Sequence, residues 1–170
     1  HGDGAGSGFF GSGSIAKSVV FVVDASASMN KAHDSEAKTR FGKLKLELLN
    51  AVKRMNGELS FFIVFFNQGP IPMPADSLQP ATPENQTRYL EWVATVRAGG
   101  STDPREALVG ALSLRPDVIF FLTDGDFDNL IRRDLRTLRQ SRVVINTIGF
   151  GDESKKAATI LKDLAEANGG

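Results

Sequence analysis

Val19-Val20-Phe21-Val22-Val23-Asp24-Ala25-Ser26-Ala27-Ser28 is the stretch on which the fold turns. Its apolar, mostly β-branched run has no polar interruption and stops at a carboxylate. A strand with one wet face would alternate; an unbroken run is expected of a strand covered by helices on both faces. Two further segments share that character: 118–122 runs into Thr123-Asp124-Gly125, and 143–148 ends at Gly149. Residues 59–66 supply a fourth, aromatic-rich strand.

Between these runs the apolar period becomes helical. Phe41, Leu44, Leu48, Val52 and Met55 form one stripe, opposed by Lys45, Glu47 and Lys53. Tyr89, Trp92, Val93 and Val96 make a second stripe of core residues, Leu130, Leu135 and Leu138 a later one, and a last helix is expected over 154–167. Asp103-Pro104-Arg105-Glu106 reads as an N-cap, a first-turn proline and a capping-box glutamate, which starts a helix at about Pro104. Most of the 7 prolines lie between Pro70 and Pro83, so that segment can carry at most a short edge strand. Alternating strands and helices with right-handed crossovers give an α/β fold: a Rossmann-like, doubly wound, mostly parallel sheet with helices on both faces.

At 170 residues, 41% of them hydrophobic, the chain fits one globular domain over 17–170. Residues 1–16 are glycine-rich and read as a flexible linker. Gly6-Ser7-Gly8-Phe9-Phe10-Gly11 has the spacing of a dinucleotide-binding loop, but no strand precedes it, so it stays with the linker. The 20 basic and 20 acidic residues cancel, which removes the long-range field that recruits nucleic acid or an anionic membrane. Cysteine is absent, so disulfides, zinc thiolates and thiol catalysis are excluded. No apolar run reaches the ~18 residues of a membrane span.

In an open parallel sheet, ligands bind beyond the carboxyl ends of the strands, where strand order reverses. Asp24 and Asp124 both follow such strand ends, the hydroxyls of Ser26 and Ser28 come directly after the first, and Thr102 precedes the helix at Pro104. These are hard oxygen donors only. They suit Mg²⁺, a small ion that wants octahedral oxygens near 2.1 Å and keeps several waters, with Mn²⁺ or Ca²⁺ as alternatives.

The set Asp24-x-Ser26-x-Ser28, Gly99-Gly100-Ser101-Thr102 and Leu122-Thr123-Asp124-Gly125 resembles the von Willebrand factor A (vWA) domain and its metal-ion-dependent adhesion site, MIDAS. The resemblance covers nearly all of 17–170. It implies that Ser26 and Ser28 bind the ion directly, Thr102 directly or through water, and that Asp24 and Asp124 hold coordinated waters. It also implies the partner: another protein whose Asp or Glu completes the metal shell. There are two departures. Ala27 stands where the family commonly has glycine, and its methyl group is expected to tighten the loop or restrict its backbone. The sequence stops at Asn168-Gly169-Gly170, where members usually turn into one more strand, so the last edge strand could be lacking. Bacterial members are often tethered, and the leader would suit a domain attached to a membrane segment or held outside the cytoplasm.

Plainer readings stand beside these. Asp24 and Ser26 could shape a turn; Asp126 and Asp128 could add charge at the rim, and Asp128 is equally placed to cap the helix carrying Leu130. Arg132, Arg133, Arg136 and Arg139 read as a solvated face, and His33 as a loop residue. The alternative functions are a metal-free interaction scaffold and a Mg²⁺-dependent phosphoryl hydrolase; the latter needs a base and phosphate-binding groups near the metal, and no Gly-x-x-x-x-Gly-Lys-Ser/Thr loop occurs.

Overall fold

The computed structural model describes residues 17–32, 38–122 and the backbone of 144–148. The expected linker, His33, Asp124, Asp126, Asp128, the helices placed around Leu130 and over 154–167, and any strand after the last one described lie outside those residues.

The unbroken apolar run forms β1, Ser18–Asp24, fully buried from Val19 onward. A 3₁₀ helix follows at Ala27–Asn30, then α1 at Arg40–Lys53, β2 at Ser60–Phe66, β3 at Pro70–Pro72 and β4 at Gln79–Pro80. The chain continues through α2, Pro83–Thr95, α3, Arg105–Ser113, β5, Val118–Leu122, and β6, Val144–Ile148. The sheet order is β3-β2-β1-β5-β6, with β4 also paired to β2. β1, β2, β5 and β6 are parallel; β3 and β4 run antiparallel against the outer side of β2. Prolines thus confine the segment after β2 to two very short edge pieces, because a proline has no N–H for a ladder.

Strand pairing sorts the side chains into two faces. Phe21 stands opposite Ile63 and Phe120 across the ladders, and its ring stacks on Phe120 at 5.8 Å. On that face Phe65 meets Phe41 of α1 at 5.8 Å and Trp92 of α2 at 5.6 Å, while Phe61 meets Tyr89 edge-on at 6.0 Å. The other face carries Phe62, Val64, Phe66 and Phe121, and α3 lies over it, its Ala107 and Ala111 facing Phe62 and Val64 across a small apolar groove. Helices therefore cover both faces, as the apolar patterning requires. The whole stripe from Phe41 to Met55, whose last member lies just past the end of α1, is buried.

The helix starts follow local chemistry. Thr39 Oγ1 accepts from the Gly42 amide at 2.9 Å and Thr82 Oγ1 from Asn85 at 3.2 Å, with Pro83 in the first turn of α2. Lys45 joins α1 to α2: its ammonium donates to the Ala94 and Val96 carbonyls at the end of α2 and sits 4.7 Å from the centre of the Phe41 ring. Burial, with Arg97 adding to it, nonetheless holds the Lys45 pKa below its ordinary value.

Residue 104 departs from expectation. Pro104 itself is the cap position with helical backbone angles, and α3 begins at Arg105. Asp103 Oδ1 accepts from the Arg105 amide at 3.2 Å, but the reciprocal half of a capping box is closed, because the Asp103 amide is spent on the Asn67 carbonyl at 2.7 Å.

Candidate functional site

The chain leaves β1 for β2 and β3 on one side, then crosses back to β5 and β6 on the other, so strand order reverses between β1 and β5. Asp24 is the last residue of β1, at the carboxyl end of that switch point. It is completely buried, and its Oδ1 accepts from the Ser26 amide at 2.8 Å. A buried carboxylate needs hydrogen bonds or a cation to remain charged. The plainer turn-shaping role of Asp24 is thus real, and it is also what aims the following hydroxyls. Ser26 is 1% exposed, Ser28 is half-buried, and their Oγ atoms stand 3.2 Å apart. Neighbouring oxygens of an octahedron with bonds of about 2.1 Å are about 3.0 Å apart, so the pair fits two adjacent positions on one small cation.

Two other loops are stapled to this turn. The Gly99 amide donates to the Ala25 carbonyl at 2.8 Å and the Ala27 amide to the Gly100 carbonyl at 2.9 Å, which lays residues 98–102 along the serine turn. Asn30 Nδ2 adds a bond to the Ala98 carbonyl at 3.1 Å. The Ala25 amide bonds the Phe66 carbonyl at 2.8 Å, and Asp103 bonds Asn67, which bring in the β2–β3 turn. Gly100 has φ +80°, a conformation strained for any residue with a Cβ, and such a Cβ would lie 2.4 Å from Gln68 Oε1 and displace that side chain. Thr102, half-buried, sits two residues beyond the Gly100 carbonyl that holds Ala27.

The structure therefore brings together the segments of Asp24, Ser26, Ser28 and Thr102; Asp124 falls outside the described residues, although β5 ends at Leu122, paired with Val23. The expected restriction at Ala27 does not arise. Among described residues other than glycine only Lys38 and Arg115 have positive φ, and Ala27 turns its methyl group toward solvent, so this loop geometry is open to alanine. Sequence reasoning missed the β2–β3 turn as a wall of the site. The signal was Asn67-Gln68-Gly69, turn-forming residues directly after a buried strand.

Beside the site, Arg105 clasps Asp103 with two side-chain bonds of 3.0 Å, and chiefly through them holds its carboxyl below the ordinary aspartate range. Among the described residues, no three of His, Cys, Asp or Glu gather as a metal cluster.

Residues 17–170 match the von Willebrand factor type A domain. The chain belongs to that family. The vWA domain is 29% identical over 157 residues to the inter-alpha-trypsin inhibitor heavy chain H3 of Bos taurus, a span that takes in 81% of this chain and 17% of the heavy chain. In structure it is similar to a von Willebrand factor type A protein from Catenulispora acidiphila, with a TM-score of 0.73 at 18% identity over 89% of this chain and 36% of that one. It is also similar to proximal thread matrix protein 1 from the mussel byssus, solved with a zinc-occupied MIDAS motif; the TM-score is 0.65 at 23% identity, over 89% of this chain and 39% of the mussel protein. The chain spans well under half the length of each of these relatives. No helix among the described residues is long and apolar enough to cross a membrane.

Proposed function

We propose that this vWA domain is a metal-dependent protein-binding module that takes hold of an acidic side chain of a partner. Ser26 and Ser28 hold the cation, Mg²⁺ by preference, Thr102 adds a third hydroxyl, and Asp24 and Asp124 hold its waters. The observation that carries the reading is the pair of hydroxyl oxygens 3.2 Å apart, immediately after a fully buried carboxylate at the switch point of the sheet. The zinc-occupied motif of the mussel protein supports a divalent ion in this fold.

The ion supplies a Lewis-acid attraction for a carboxylate oxygen. Its strength depends on the chain's own donors. Neutral serine and threonine hydroxyls cancel none of the ion's formal charge, whereas carboxylates bound directly would, so this donor set leaves the ion attractive to an incoming anion. The staples among the three loops keep the donors in place before the partner arrives, which limits the ordering cost of association.

The test is a displayed peptide library panned on the domain in Mg²⁺. Enriched binders are expected to contain Asp or Glu and to be released by EDTA. Binders that hold equally well in EDTA, or that show no acidic enrichment, would contradict the proposal.

A further inference from the structure

Gln68 occupies the tip of the β2–β3 turn, and the turn itself is rigidly placed. The Asn67 amide bonds the Gly69 carbonyl at 3.1 Å, the Asn67 carbonyl takes the Asp103 amide at 2.7 Å, and the preceding Phe66 carbonyl takes the Ala25 amide at 2.8 Å. From that base the exposed Gln68 side chain reaches Gly100. Its Oε1 lies 2.4 Å from where a Cβ of residue 100 would stand, so a side chain there would displace it. The Gly100 carbonyl in turn holds Ala27, the residue between the two serine donors. The exposed Gln68 side chain, which carries two N–H donors, thus lies against the glycine whose carbonyl holds the turn between Ser26 and Ser28.

A carboxylate bound to a cation through one oxygen leaves its second oxygen as a strong acceptor. We propose that Gln68 is a partner-binding residue of this site: its side-chain amide donates to the second oxygen of the incoming carboxylate and so favours a carboxylate over a lone hydroxyl or water. This rests on the metal-dependent reading above. It adds a residue outside the metal-binding set, and it gives Gly100 a second role, as the floor on which Gln68 lies.

The experiment uses Mn²⁺ as the ion and acetyl-Gly-Glu-Gly-amide as the probe. Metal affinity is measured first by calorimetry with the whole chain, and peptide binding is then followed by paramagnetic broadening of the glutamate side-chain protons. Gln68→Ala is expected to keep its Mn²⁺ affinity and melting temperature and to bind the peptide about five- to tenfold more weakly, in line with the net worth of one solvent-accessible hydrogen bond. Gln68→Glu, which sets a like charge beside the incoming carboxylate, is expected to abolish peptide binding while retaining the metal. Peptide affinity unchanged in both variants, with Mn²⁺ still required, would overturn the role of Gln68 and leave the metal reading standing. Failure of the unsubstituted chain to bind Mn²⁺, or to bring the peptide to it, would overturn that reading and the inference with it.

Discussion

At the scale of single residues, one side chain shapes the serine turn and one missing side chain permits the loop beside it. Asp24 accepts from the Ser26 amide through Oδ1, in a turn that brings the two serine hydroxyls to 3.2 Å of each other. Gly100, at φ +80°, directs its carbonyl to Ala27. Gly100→Ala is expected to cost about 1–2 kcal/mol, the left-handed penalty for a residue with a Cβ, and to push Gln68 off the loop. Denaturant midpoints of the two proteins check this; an unchanged midpoint would mean the loop relaxes without strain. Asp103 offers a pH test. Its folded pKa lies below the unfolded value of about 3.9, so its contribution to stability is fully present above that pH and fades as the pH falls through the depressed folded value. Because the group is largely solvated, the effect on stability is small and the titration is the better readout. Arg105→Ala should raise the Asp103 pKa in a carbon-13 NMR titration, since the Arg105 bonds are the largest cause of the depression; no movement would remove that assignment.

Among the elements, α1 carries much of the packing that fixes β1 and therefore the site. Leu48 is fully buried in the middle of its stripe, and Leu48→Ala is expected to destabilise the domain by about 2–5 kcal/mol through lost burial and a residual cavity. Thermal or denaturant unfolding measures it, and a loss under about 1 kcal/mol would mean that α1 repacks freely. This level was the most legible in the sequence. Unbroken apolar runs announced β1 and β5, and helical periodicity announced α1 and α2, because burial of whole faces imposes a period that single residues cannot hide. The capping of α3 was misread for a tertiary reason: the Asp103 amide that a capping box needs is taken by Asn67, a residue distant in sequence. The role of the β2–β3 turn was hidden in the same way, since its hydrogen bonds to residues 25 and 103 are non-local.

For the whole molecule, the fold follows from one topological fact, the reversal of strand order between β1 and β5, which places Asp24 at a crevice rather than within a continuous row of crossovers. Asp24, Ser26 and Ser28 were legible as candidates because they stand at and directly after a buried strand end; the staples that tie their turn to residues 98–102 were not, being set by backbone groups that every residue shares. The central claim is that this assembled oxygen cluster holds one divalent ion. Calorimetric titration of Mg²⁺ into EDTA-treated protein, beside a Ser26→Ala/Ser28→Ala double variant shown by circular dichroism to be folded, tests it most directly. The account predicts one-to-one binding that the double variant loses. Binding that survives in the double variant, or no binding by the unsubstituted domain, would contradict it.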